Sequence, residues 1–116
     1  MAQTITISLP PPPSVNSLFV NVPRRGRVKS KGYKNWLANA DAAYWVQHMH
    51  KIIPIIGPRE VCITLPNMRG DIDNYAKATL DFLVSRKLTG DDRFNVKVTL
   101  QTDASLTDCL VEVKAA

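Results

Sequence analysis

A small single domain of the α+β class with a mixed sheet, in the order β-α-β-α-β-β, is what this sequence predicts. Apolar and polar residues alternate over residues 4–9 and 94–101, the period of a half-buried strand, whereas residues 33–53 and the stretch after 71 carry apolar residues at helical spacing. Prolines and glycines mark the joints between these segments. A length of 116 residues fits one domain over 1–116, and 45% hydrophobic with 22% charged residues is ordinary for a folded core. So small a core is modestly stable alone, and dimerisation would help it.

The first strand, residues 4–9, sets Ile5, Ile7 and Leu9 on one face against Thr4, Thr6 and Ser8 on the other, and four prolines at 10–13 end it. Residues 14–32 read as a long irregular loop, a length that in a small domain points to function or mobility. Helix one covers 33–53, with Trp36, Leu37, Ala40, Ala43 and Tyr44 on its apolar face, Ser30 as a cap, and Pro54 as its stop. Trp36 and Tyr44 read as core. Strand two is residues 60–65, stopped by Pro66 and Asn67. Helix two starts at an acidic motif, capped by Asp71, with Ile72, Ala76, Leu80 and Leu83 facing inward. Gly90 breaks the chain, residues 94–101 form strand three, and residues 110–114 form strand four, its hairpin partner across the 103–107 turn. No internal repeat is present.

Several function classes are excluded or given no support. No apolar run reaches the roughly 18 residues that would span a bilayer, and the start MAQTITISLPPPP has neither the basic opening nor the long apolar stretch of a signal peptide. A cytoplasmic protein is expected. Cys62 and Cys109 lie in strand-like runs and read as reduced thiols rather than as a disulfide or metal ligands. His48 and His50, two apart on the expected helix, point in different directions and make a poor metal pair.

Charge is divided unevenly. Residues 1–40 contain six basic residues and no acid, and all six (Arg24, Arg25, Arg27, Lys29, Lys31 and Lys34) fall in RRGRVKSKGYK. The rest of the chain is nearly balanced, so this one segment produces the net charge of +5. A basic run beside Gly and Tyr33 suits a loop that follows a polyanionic backbone, with a merely solvated loop as the ordinary alternative.

The acids are concentrated in turn. Asp71, Asp73, Asp81, Asp91 and Asp92, half of the ten acidic residues, lie within residues 71–92. Two carboxylates about 4 Å apart repel by roughly 4 kcal/mol at an effective dielectric near 20, so a converging group must be protonated, solvated apart or split by a cation. Oxygen ligands without His or Cys favour Mg²⁺, or Mn²⁺, over zinc, and such ions serve phosphoryl chemistry. Lys77 adds a fixed positive charge for a phosphate oxygen or the attacking water. On a continuous helix, Asp73 and Lys77 share an edge, about 40° apart.

GDIDNYAK, a following helix, and the GDD after it resemble the RusA family of Holliday junction resolvases, in which D-x-D-N-x-x-K precedes a second acidic site. SLPPPPSVNSLF is similar to that family's strand followed by P-P-S-x-N, and the likeness extends over nearly the whole chain. The resemblance implies a crossover junction endodeoxyribonuclease that depends on Mg²⁺ and acts as a homodimer. Its work would be to resolve four-way DNA junctions by paired symmetric nicks in recombination and repair, in a bacterial or phage setting. It carries the essential carboxylates onto Asp71, Asp73 and Asp92, the essential lysine onto Lys77, and a less central neighbour onto Asp91. The basic segment Arg24 to Lys34 matches in position and charge only.

Each position also has an ordinary explanation: Asp71 as a helix cap, Asp73 and Lys77 as an i,i+4 ion pair, Asp91 and Asp92 as a turn. One geometric expectation is separate from the resemblance. A continuous helix over 73–87 is about 22 Å long and sets Asp92 far from Asp71. The far-end aspartates would then serve the opposite subunit's site; a shorter helix with a folded-back loop is the competing arrangement. The alternatives in function are a non-catalytic DNA-binding protein of the same lineage and a metal-dependent nuclease for flaps or forks.

Overall fold

Why the strands assemble as they do follows from which of them are the most buried. The computed structural model describes residues 3–116, and its elements are β1 (Thr4–Leu9), β2 (Phe19–Val22), β3 (Gly26–Lys29), α1 (Lys31–Val46), β4 (Arg59–Leu65), α2 (Lys77–Ser85), β5 (Asn95–Thr102) and β6 (Cys109–Ala115). Four strands form one mixed sheet in the order β1-β6-β4-β5, with β4 and β5 parallel and the other pairs antiparallel. The most buried strands, β4 and β6, occupy the centre, and β5, whose Val96 and Val98 are exposed, takes an edge. Ile5, Ile7, Leu9, Val61, Ile63, Leu65, Val111 and Val113 make the inner face, covered by Tyr33, Trp36, Ala40 and Tyr44 of α1 and by Ala78, Phe82 and Leu83 of α2. Burying each of the larger side chains contributes roughly 1.5–3 kcal/mol. No helix among the described residues is long and apolar enough to cross a membrane.

The mixed sheet and both helices match the expectation, but four details differ. First, the 14–32 segment is not irregular: β2 and β3 pair as a separate antiparallel hairpin whose turn places Arg24 at φ +66° and Gly26 at φ +73°. Pro23 followed by a positive φ is the pattern of a type II turn, which normally takes glycine where Arg24 stands. Second, α1 stops at Val46, not at Pro54. The Gln47 side chain turns to the free edge of β1, donating to Ser8 O at 2.7 Å and accepting from Ser8 N at 2.8 Å, and His48 goes left-handed at φ +58°. An edge strand is thereby capped by a side-chain amide.

Third, α2 is nine residues, about 13 Å, rather than a continuous helix over 73–87. Residues Ile72–Tyr75 form a separate 3-10 turn, and Lys87 at φ +58° closes the helix. Lys87 N donates to Val84 O and Leu88 N to Leu83 O, both at 3.0 Å, the paired bonds of a Schellman closure without its usual glycine. Fourth, β5 and β6 are not a hairpin: β4 lies between them. The 103–108 segment carries the chain past the end of β4, with Asp103 N donating to Leu65 O at 2.8 Å. Two strand spacings are only about 10 Å, within easy reach of six residues.

Candidate nucleic-acid and metal site

Parallel neighbours need a crossover connection, and α2 supplies it between β4 and β5. Register pairs Leu65 with Thr102 and Arg59 with Asn95. The turn carrying Asp71 and Asp73 leaves the far end of β4, while the turn carrying Asp91 and Asp92 enters the near end of β5. The two acidic pairs thus leave and enter the parallel pair at opposite ends, despite the short helix. Among the described residues, no three His, Cys, Asp or Glu side chains come close enough together to hold a metal ion.

The first acidic turn is built from three local features. Gly70 reverses the chain at φ +76°, a conformation that favours glycine. Tyr75 Oη donates to Arg69 O at 2.7 Å and closes the loop on itself. The Ile72–Tyr75 turn rests against the Val15–Ser17 turn, so the P-P-S-V-N and D-I-D-N segments, remote in sequence, meet in space. Asp71 precedes the turn, but its side chain makes no capping hydrogen bond. Because residues 72–75 are 3-10 rather than α, Asp73 and Lys77 do not pair. Lys77 opens α2 and reaches forward to Asp81 at 2.9 Å.

The second acidic turn folds back beside that helix. Asp81, Val84, Ser85, Asp91 and Asp92 line one open cleft. Lys77 is held above its usual pKa first by the hydrogen bond and charge of Asp81 and further by Asp92, so it stays a cation at neutral pH. Asp91 has local work: its carboxylate accepts from Arg93 N at 3.0 Å and lies 3.9 Å from Arg93 Nε. The Asp92 carboxylate takes part in no hydrogen bond or ion pair among the described residues, and the same holds for the carboxylates of Asp71 and Asp73. Outside the motif, only Asp108 and Glu112 share that condition, and each stands on another part of the surface.

The ordinary explanations therefore divide. Asp71 as a side-chain cap and Asp73 with Lys77 as an ion pair do not hold in this geometry, whereas Asp91 as a turn residue does. By donor chemistry, Asp71, Asp73 and Asp92 suit a hard divalent cation: they are carboxylates whose side chains have no hydrogen-bond or ion-pair partner among the described residues.

All six cations of the basic segment are exposed, and none is in an ion pair among the described residues. Arg24, Arg25, Arg27 and Lys29 stand on the hairpin and its turn, while Lys31 and Lys34 begin α1. The hairpin is fixed at its base. Ser30 caps α1 by accepting from Tyr33 N at 3.1 Å, donates to Ser17 O at 2.6 Å, and its own N–H reaches Leu18 O. Leu18 is buried. A column of rings then runs inward, Phe19 to Tyr33 (5.9 Å), Tyr33 to Trp36 (6.3 Å) and Trp36 to Phe82 (5.7 Å), with Arg27 over the outer face of Phe19 at 4.3 Å. Trp36 is core, as expected, and its indole N–H donates to Pro10 O at 2.9 Å.

Two features had little trace in the sequence. The aromatic column joins residues from three elements, a relation that periodicity does not carry. Arg59 is fully buried at the head of β4 and donates to the backbone carbonyls of Gly90 (2.7 Å) and Asp91 (2.8 Å). An arginine at the start of a strand whose Val61, Cys62, Ile63 and Leu65 are apolar was its only signal. The two histidines stand with ring centroids 6.1 Å apart, His50 lying against Trp45 at 4.4 Å. Comparison with protein-family models and with curated proteins finds no match to this chain.

Proposed function

We propose that this protein is a Mg²⁺-dependent, structure-specific endodeoxyribonuclease that acts as a homodimer on four-way DNA junctions. The observation that carries the reading is the division among the motif's acids. The carboxylates of Asp81 and Asp91 have structural partners, while those of Asp71, Asp73 and Asp92, the three that the RusA resemblance marks as essential, have none among the described residues. Asp108 and Glu112 are unpartnered as well, so what supports the reading is that the three unpartnered carboxylates coincide with the motif positions.

In this reading Asp71, Asp73 and Asp92 hold the cation, with Asp91 at its margin. The cation supplies charge stabilisation at the scissile phosphate and acidifies water there. Lys77, a cation at working pH, binds a phosphate oxygen near Asp92. The hairpin and the start of α1 hold the sugar-phosphate backbone through unpaired cations, which position the DNA without reading its bases. The nine-residue helix with the Asp91–Asp92 turn folded back beside it favours a site within one chain, while exposed Val46, Ile53 and Ile56 leave apolar surface for contact with a second copy.

One observation favours a second reading, DNA binding without cleavage: among the described residues, no three His, Cys, Asp or Glu side chains gather closely enough to hold a metal ion. Labelled four-way junction, fork, flap and duplex, each incubated with Mg²⁺ or with chelator, separate the readings. Junction cleavage in Mg²⁺ alone supports the proposal; binding without cleavage supports the second reading. Preferential cutting of forks or flaps moves the substrate assignment to a different branched DNA.

A further inference from the structure

Arg59 is the largest fully buried side chain in the molecule, and it is charged. A buried guanidinium costs several kcal/mol unless its donors are satisfied, and an apolar residue of similar volume would fill the same space without that cost. The hydrogen bonds point to what the charge does. Nη2 donates to Gly90 O at 2.7 Å and Asp91 O at 2.8 Å, and Nη1 to Ile56 O at 3.3 Å and Gly57 O at 3.4 Å, while Nε is buried without a partner. One side chain therefore ties the entry of β4 to the turn that bears the second acidic pair.

The same joint is closed by backbone. Ile55 N donates to Leu88 O at 2.9 Å and Gly90 N to Ile55 O at 3.3 Å, and Ile55 and Thr89 form an isolated parallel bridge. Gly90 lies so near this segment that a Cβ on it would stand 2.8 Å from Ile56 O. Burial pushes the Arg59 pKa down, and the charges of Asp92 and Asp91 push it back up, so guanidinium and carboxylates feel each other without forming an ion pair. Lysine, a point charge on a flexible stem, cannot make this fork to four carbonyls.

We infer that Arg59 is a positioning residue that fixes the 88–92 turn from beneath, so that the Asp92 carboxylate is presented beside Lys77 and ready for a cation. The inference rests on the nuclease reading. It adds to that reading a residue outside the D-x-D-N-x-x-K and D-D motifs on which the second half of the site depends.

The test uses the full chain with Arg59→Lys, and Gly90→Ala as a second disruption of the same joint that leaves the arginine in place. Arg86→Lys, at the remote contact with Asp41, is the control for general destabilisation. Mn²⁺-induced broadening of the Asp71, Asp73 and Asp92 amide signals reports metal binding, and the Mg²⁺ dependence of junction cleavage is set against junction affinity in chelator. Arg59→Lys and Gly90→Ala should raise the half-saturating metal concentration by roughly 10-fold or more, the usual cost of losing a residue behind a metal ligand. Junction affinity should stay within about two-fold, since phosphate contacts set it. Amide exchange at residues 90–92 should accelerate, and Arg86→Lys should change none of these.

A folded Arg59→Lys protein with wild-type metal dependence overturns the inference while leaving the nuclease reading intact. If Arg59→Lys does not fold, Gly90→Ala decides by the same criteria. Failure of Mn²⁺ to touch the wild-type Asp71, Asp73 and Asp92 signals overturns the nuclease reading itself, and the inference with it.

Discussion

The basic hairpin and the Asp91–Asp92 turn are both surface features, yet they are held in opposite ways. The turn is clamped from below by a buried arginine, two backbone hydrogen bonds and a glycine with no room for a side chain. The hairpin is secured at its base, through Leu18, Ser30 and the Phe19–Tyr33 contact, and its cations form no ion pair among the described residues, Arg27 alone lying over a ring, that of Phe19. In the proposed function the difference has a reason. Metal ligands tolerate little misplacement, whereas a backbone-tracking arm gains from adapting to a branched substrate of variable geometry.

The sharpest way to break this contrast is at the carboxylates. Asp71→Asn or Asp73→Asn should reduce Mg²⁺-dependent junction cleavage by the order of 10²-fold or more, with binding level or tighter as repulsion of phosphate falls. Cleavage at the wild-type rate, measured in single turnover, would remove these residues from the mechanism. Lys77→Ala should cost a similar order. Because Asp81 and Asp92 raise its pKa, Lys77 keeps its charge until pH rises past the ordinary lysine value of 10.5, so its contribution should not titrate away between pH 7 and 9. The stability linked to the raised Lys77 pKa is likewise present at neutral pH and is lost as pH rises past that value.

Mixing subunits asks whether the clamped turn serves its own chain. If the two acidic turns meet across a dimer, Asp73→Asn and Asp92→Asn proteins combined should recover single-nick activity, because one heterodimer site is then intact. Absence of recovery on a nicking assay assigns all ligands to one chain.

At the hairpin the effect should be graded. Six phosphate contacts would give log K against log salt a slope of about −5, at roughly −0.9 per contact, and neutralising Arg24, Arg25 and Arg27 should about halve it. An unchanged slope means the hairpin is only solvated. The smallest expected effect concerns strain. Lys87→Gly, at the left-handed closure of α2, should raise stability by about 0.5–1 kcal/mol, read as an upward shift in Tm.

What was legible in the sequence was whatever is local. β1, β4 and β6, the apolar face of α1 and the acidic motif all follow from period and residue type. The missed boundaries share one cause: the decisive residue did not look like punctuation. Lys87, His48 and Arg24 all hold left-handed conformations usually given to glycine, so α2 was expected to run two residues further, α1 to reach Pro54, and the hairpin to be a loop. The 3-10 geometry of residues 72–75 had no signal, and with it went the Asp73–Lys77 edge. Strand order was beyond a local reading, because β5 and β6 are neighbours in sequence but not in the sheet. Arg59 acts on residues 31 and 32 positions away, and no window covers such a pair.

The place of β6 also sets when the molecule can form. β1 has no other strand partner in the sheet, so Thr4 must wait for Lys114, and β4 lacks its antiparallel neighbour until the same strand arrives. During synthesis, the N-terminal strand emerges long before anything can pair with it, with Ile5, Ile7 and Leu9 uncovered. Contacts this distant in sequence make for slow closure and an interval vulnerable to self-association. The four prolines after Leu9 and the charged segment that follows are well placed to keep that early chain apart from its copies.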